Sequence, residues 1–244
     1  MPPAPRQATH VVLFFDCISP YTALALATLQ RYRARWGYSL ELVPMFLGGV
    51  MNSTGNKPPA TLPQRAVFQA GDLRRNAGMF AVPLLDSPSN FFSEAARRVL
   101  AVQRVLVRLQ MDGSEPATVE RAADAFMFGI HCDAANRDDG NNVKLDDAFL
   151  LRCLVKAGLT QAAAADAVKR SGLPDTKAQL EANTNRAVEH NAFGSPTMLV
   201  YGVPPPYASS RDEPVLFFGS DRFEQLAFVL GRKYEGVNPG SARL

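Results

Sequence analysis

Cysteine is scarce in this sequence. Cys17, Cys132 and Cys153 are the only three in 244 residues, and no two stand as a C-x-x-C pair. An odd set without that spacing supports neither a disulfide framework nor a zinc ribbon, and it fits a reducing compartment. Excess charge is also lacking. The 26 Lys and Arg against 23 Asp and Glu leave +3, too little to specify nucleic acid or an anionic membrane as partner. No apolar run is long enough to span a bilayer. Residues 1–10 are polar and proline-rich and lack the apolar stretch of a secretory signal. There is no internal repeat, and the one biased tract is the alanine run at 162–165.

What is present is a normal globular balance. At 47% hydrophobic and 20% charged residues, the chain can build a large core, in one domain or in one domain carrying an insertion. Residues 10–16 (HVVLFFD) form a continuous apolar run that reads as a buried strand. Residues 17–20 turn, and Pro20 suits the first position of a helix that runs to about residue 35 and closes at Gly37. Residues 38–44 alternate as a second strand. Residues 45–63 read as a long loop with several Gly and Pro, and loops of that length are often functional. From 62 to about 189 the pattern is helical, at 93–109, 115–132, 145–157, 160–169 and 175–190. The first of these places Ala96, Val99, Leu100, Gln103, Leu106 and Val107 near one face. Two short strands, 197–201 and 215–218, then read as a hairpin with a long Pro/Gly/Ser connection, followed by a helix at 221–231. A β-α-β unit and a β-β-α unit bracketing helices predicts an α/β, thioredoxin-like fold with a helical insertion. The thioredoxin-like domain takes 1–62 and 191–244, and the insertion takes 63–190.

Three places carry chemistry. Ser19 lies between a strand and a helix opening with Pro20, where free N–H groups and the helix dipole favour an anion such as a thiolate. It reads equally as an ordinary N-cap. Its neighbour Cys17, at a strand end, reads as a small buried hydrophobe rather than a nucleophile. Gly194-Ser195-Pro196-Thr197 leads directly into a strand, and Ser195-Pro196 is a position where a cis peptide costs little, although a trans turn fits too. Gly219-Ser220-Asp221 is either a plain helix cap or a cradle for an amino-acid head group, Asp221 facing an ammonium and Ser220 a carboxylate. His131-Cys132-Asp133 has the elements of a metal cluster, but adjacent helix residues do not face one site, so no metal is expected. Arg97, Arg98, Arg104 and Arg108 read as a solvated helix face.

Together these residues resemble the kappa-class glutathione transferases, relatives of the DsbA-type thiol oxidases and of the 2-hydroxychromene-2-carboxylate isomerases. The segments that carry the resemblance are FFDCISPYT (14–22), FLGGVMNSTGNKPPATLPQR (46–65), AFGSPT (192–197), LFFGSDRFEQLAFVLGRKYEG (216–236) and the closing SARL. The resemblance implies that Ser19 hydrogen-bonds the glutathione sulfur and that Asn56 stands close to the active site. It puts Arg65, where many members have lysine, beside the glycine end of glutathione. It also implies that the Ser195 backbone before Pro196 pairs with the cysteinyl moiety and that Ser220 and Asp221 hold the γ-glutamyl group. Two departures stand out: Thr22-Ala23 replaces a frequent Ser-Trp, and the connection at 203–213 is long.

The implied task is to keep glutathione ionised for attack on a small electrophile or a peroxide. Holding a thiol ionised near neutrality takes a shift of roughly two pKa units, about 2.7 kcal/mol. A hydrogen bond to a charged group contributes about 1.5–3 kcal/mol and a helix N-terminus about 0.3–1 kcal/mol. The alternatives are a glutathione-dependent isomerase of the chromene-carboxylate type and a glutathione-binding protein without turnover. Dithiol exchange is disfavoured because Ser19 and Thr22 occupy the two positions a C-x-x-C would need. The resemblance further implies a homodimer. The closing Ala242-Arg243-Leu244 copies the Ser-Lys-Leu pattern, which predicts a peroxisomal location in a eukaryote, with mitochondrion or cytoplasm as the alternatives.

Overall fold

The computed structural model describes residues 9–240. The Ala242-Arg243-Leu244 pattern lies outside them. A four-stranded sheet has the order β2-β1-β3-β4, with β1 at Thr9–Phe15, β2 at Tyr38–Pro44, β3 at Thr197–Tyr201 and β4 at Val215–Phe218. β1 and β2 are parallel; the other pairs are antiparallel. β1 reads as an unbroken apolar run because it is central and covered on both faces. Val11, Leu13 and Phe15 join the large core on one side, and Val12 and Phe14 join a smaller core on the other. Phe14 and Phe15 are fully buried, each worth about 1.5–3 kcal/mol relative to exposure.

The crossover between β1 and β2 is α1, Pro20–Trp36, which stops at Gly37 in the left-handed region (φ 65°) with its N–H on the Arg33 carbonyl. Strand ends and helix stop stand within a residue or two of the sequence reading, because a proline and a glycine punctuate them. The expected loop at 45–63 is corrected. It contains α2, Leu47–Thr54, and a short 3-10 turn at Pro59–Thr61. Two adjacent glycines, Gly48 and Gly49, hide this helix from a propensity reading. They are needed because a Cβ on Gly48 would stand 2.6 Å from the Phe46 ring.

Helices α3 (Pro63–Phe80), α4 (Ala96–Met111), α5 (Pro116–His131), α6 (Asp147–Lys156), α7 (Gln161–Arg170) and α8 (Pro174–Glu189) follow, and α9 (Phe223–Leu230) closes the chain's regular structure. The large core runs without a break from β1 and α1 into α4, α5, α6 and α7, while α8 covers the opposite sheet face with Ala187. One expectation for α4 fails. Arg108 is buried, not solvated, and its guanidinium meets Asp112 and Asp175. Arg97 and Arg98 are exposed as expected. Among the described residues no helix is long and apolar enough to cross a membrane.

The register sets where a site can form. Phe15 pairs with Pro44, Phe14 with Thr197, and Thr197 with Phe218. The ends of β1, β2 and β4 and the start of β3 therefore meet at one edge of the sheet. The turn after β1, the start of α2, the Ser195-Pro196 step and Gly219 are all delivered to that edge.

Candidate functional site

Ser19 occupies the N-cap position of α1 with extended backbone (φ −83°, ψ 116°), yet its side chain caps nothing. Its hydroxyl reaches instead across the sheet edge and donates to the Ser195 carbonyl at 3.0 Å. The Ser19 side chain makes no cap bond to its own helix, and its oxygen is turned toward a second loop. Ser195-Pro196 is cis. The Ser195 hydroxyl accepts from the Asp16 N–H at 3.0 Å and lies 2.8 Å from the Thr22 hydroxyl. Ser19 and Thr22, one helical turn apart, thus both address the residue before the cis-proline. The Ser195 N–H has no partner among the described residues, which leaves a backbone donor beside Ser19.

The remaining walls assemble around this pair. The Asn56 amide donates to the Phe193 carbonyl at 2.6 Å, fixing the loop after α2 against the loop before Pro196. Gly194 lies under the Phe218 ring; an added Cβ would stand 2.8 Å from it. The Gly219 N–H donates to the Pro196 carbonyl at 3.0 Å, which places Ser220 and Asp221 beside the cis-proline. Gly219 holds φ 93°, a conformation that glycine adopts without strain. Ser220 and Asp221 lie in the turn, because α9 begins only at Phe223; this corrects the expected helix at 221–231. The Ser220 side chain is buried and makes no hydrogen bond among the described residues, whereas Asp221 is exposed and pairs with Arg222. Arg65 is exposed in the first turn of α3 and makes no side-chain bond among the described residues. Ser19 bonds Ser195 directly, while Asn56 is joined to that loop through Phe193 and the Ser220-Asp221 turn through Gly219; among the described residues Arg65 is not joined to them.

Tyr21 donates to Asp72 of α3 at 3.2 Å. Its phenol is pushed up to about 12, by burial first, then by Asp72, with the Asp221 carboxylate adding to the shift. The Tyr21–Asp72 bond ties the start of α1 to the middle of α3.

Several supporting residues are invisible to motif reading. Gln103 of α4 donates to the carbonyls of Phe15 (2.8 Å) and Met45 (2.9 Å) and accepts the Cys17 N–H at 3.2 Å. A glutamine on an otherwise apolar helix face was the available signal. His131 of α5 bonds the Cys17 carbonyl at 2.8 Å, and burial lowers its pKa to about 4, so it is neutral. Asp16 is fully buried, and burial raises its carboxyl to about 6. Cys17 is fully buried, and burial with Asp16 beside it raises its thiol well above the usual range; that environment suits a packed side chain and not a nucleophile. Among the described residues no group of three or more His, Cys, Asp or Glu is placed to hold a metal.

The DSBA-like thioredoxin domain family is matched by residues 10–231. Glutathione S-transferase kappa 1 of Rattus norvegicus is 30% identical over 240 residues, covering 98% of this chain and 97% of that protein. The Homo sapiens protein of the same name gives the same identity and coverage. Among solved structures, a 2-hydroxychromene-2-carboxylate isomerase superposes with a TM-score of 0.68 at 18% identity, covering 91% of this chain and 94% of that one. A probable DsbA oxidoreductase from Streptomyces coelicolor superposes with a TM-score of 0.60 at 16% identity, covering 97% and 93%. At those identities the likeness to both structures is one of fold.

Proposed function

The chain belongs to the DsbA-like thioredoxin family and, within it, to the kappa-class glutathione S-transferases, and from this we propose that its glutathione lies in the Ser19 cleft. It is a glutathione transferase of the kappa type, with glutathione as co-substrate. The observation that carries the site is the Ser19 hydroxyl, uncommitted to its own helix and 3.0 Å from the carbonyl before a cis-proline.

In this reading the glutathione thiol enters between Ser19 and Ser195. The Ser19 hydroxyl turns from the Ser195 carbonyl to donate to the sulfur, and the N-terminus of α1 adds its dipole. The free Ser195 N–H pairs with the cysteinyl backbone. The γ-glutamyl ammonium faces Asp221 and its carboxylate the Ser220 turn, while Arg65 takes the glycine carboxylate. Asn56 holds the wall against which the tripeptide lies. The thiol proton leaves to solvent; the ionised sulfur then attacks an electrophilic carbon, whose leaving group departs as its anion, or a peroxide oxygen, whose O–O bond breaks to give the glutathione sulfenic acid and an alkoxide that water protonates, with no general base needed after ionisation. Neither Cys17, buried and protonated, nor a metal is required.

The test is the titration of bound glutathione, followed by thiolate absorbance against pH. Bound thiol in the wild type ionises well below free glutathione, and Ser19→Ala moves the titration back toward the free value while glutathione still binds. An unchanged titration removes Ser19 from the mechanism. Product analysis separates conjugation from isomerisation, since an isomerase returns substrate without a glutathione adduct.

Two further readings belong here. A homodimer is supported by α3, which buries only Leu73 and Phe80 along its length and leaves Val67 and Phe68 exposed at 78% and 65%, within three residues of Arg65. Light scattering on purified protein decides it. For a eukaryotic source, a peroxisomal location is supported by the Ala242-Arg243-Leu244 pattern. A fluorescent protein carrying the last dozen or so residues is expected in peroxisomes, and diffuse fluorescence sinks that reading.

A further inference from the structure

Asp16 is the residue between β1 and the reactive turn, is fully buried, and has no task in the scheme above. Its carboxylate accepts two backbone donors from different elements. Oδ1 takes the Ile18 N–H at 3.0 Å and Oδ2 takes the Leu47 N–H at 2.8 Å. Leu47 is the first residue of α2, so one carboxylate clamps both the turn carrying Ser19 and the start of the next helix. The Asp16 N–H, donated to Ser195 Oγ, ties the same residue to the cis-proline loop.

No cation pairs with Asp16 among the described residues. Beside it on its own turn is the Cys17 thiol. From α4 comes the neutral Gln103 amide, from α5 the neutral His131 ring through the Cys17 carbonyl, and from the cis-proline loop the Ser195 hydroxyl. α2 carries no titratable side chain. α8, packed behind α2, brings Thr184 to the Phe46 N–H and pairs Arg186 with Glu41.

An ionised carboxylate serves both N–H donors at once. A protonated one carries a hydrogen of its own and gives up an acceptor position to do so. We infer that Asp16 is a positioning residue whose ionised form holds the Ser19 turn, the start of α2 and the cis-proline loop in the glutathione-binding arrangement, so that protonating it weakens glutathione binding. The inference rests on the glutathione reading of the Ser19 cleft. α2 leads into Gly55 and Asn56, and Asn56 grips the Phe193 carbonyl, so loosening the first turn of α2 reaches the far wall of the cleft. Burial puts the change in a measurable range, raising the carboxyl from 3.8 to about 6 against the pull of the two N–H bonds.

The probe is S-methylglutathione, whose sulfur has no proton to lose, with binding measured by calorimetry from about pH 5 to about pH 8. For the wild type the dissociation constant stays level above neutrality and rises roughly tenfold as the pH falls through the Asp16 range. Asp16→Asn cannot ionise; its constant is flat and sits near the wild type's acid value. Leu47→Pro removes one donor and leaves the carboxylate. Proline is tolerated at a first helical position, and Phe46 before it is already extended (φ −96°, ψ 109°). With one fewer N–H supporting the charge, the weakening moves to higher pH. Asp124 of α5, pushed up to about 6 by burial and bonded to Gln30, is the control: Asp124→Asn keeps the wild-type profile. A wild type that binds no S-methylglutathione at any pH defeats the glutathione reading itself. Binding whose acid weakening survives in Asp16→Asn, or that tightens as the pH falls, defeats the Asp16 role alone. Should Asp16→Asn not fold, an unmoved profile in Leu47→Pro overturns it.

Discussion

At Ser19 the difference between a cap and a reactive-site hydroxyl is a matter of where one oxygen points. The sequence offers the residue type, and the 3.0 Å bond to the Ser195 carbonyl shows the direction. Cys17, two positions away, has the more nucleophilic atom in the less accessible place. Cys17→Ser therefore leaves conjugation largely intact, and a total loss of activity in that variant would move the chemistry to Cys17. Asp221 is exposed and among the described residues pairs with its neighbour Arg222, a partner it can exchange for an ammonium. Asp221→Asn raises the KM for glutathione several-fold with little change in kcat, because a head-group contact made equally in ground and transition states shows in KM. A fall in kcat at unchanged KM contradicts the head-group role. Gln103 and His131 were not legible as site residues. Each acts through backbone carbonyls of residues far away in the chain, and no local pattern encodes a bond across 88 or 114 positions.

Elements meet at the site through two glycines. Gly194 passes beneath the Phe218 ring, and Gly219 holds a positive φ with an added Cβ placed 2.8 Å from Asp221 Oδ1. Gly219→Ala therefore strains the turn and displaces the Asp221 carboxylate. It weakens glutathione binding roughly tenfold, by about 1–2 kcal/mol, while Gly55→Ala, also at positive φ but open on all sides, weakens binding less. Equal effects in calorimetry would show that strain, not displacement of Asp221, is at work. α4 was legible as a helix but not as a tie between elements. Its Arg108 joins Asp112 of the turn that follows it to Asp175 at the start of α8, so an arginine predicted to be solvated is a buried brace. Arg108→Met is expected to lower the urea midpoint, since it takes the ion-pair partner of Asp175 and leaves Asp112 to Arg170 alone. α2 escaped the sequence reading because its two glycines answer to the Phe46 ring at its own N-cap and to Thr184 of α8.

Over the whole molecule two buried groups titrate against each other. Asp16 is raised from 3.8 to about 6, so the stability it contributes is full below the lower value and is lost as the pH rises through the upper. His131 is lowered from 6.5 to about 4, so its contribution is present above 6.5 and is lost as the pH falls through 4. Ionised Asp16 thus costs up to about 3 kcal/mol at neutral pH. Urea unfolding of Asp16→Asn, compared with the wild type, should shift by about that amount in the variant's favour between about pH 4 and pH 7.5. A difference that stays constant with pH would show that burial of the charge is not what sets the Asp16 pKa. By itself the sequence determined the order of strands and helices apart from α2, because proline, glycine and hydrophobic period act within a few residues. It also determined the family, because five separated segments keep their order. The tertiary structure alone decided where the Ser19 hydroxyl points, that Arg108 and Asp16 are buried, and that Gln103 and His131 brace the turn after β1. Those outcomes depend on strand register, which brings the ends of β1, β2 and β4 and the start of β3 to one edge, and register is a property of pairing between distant segments.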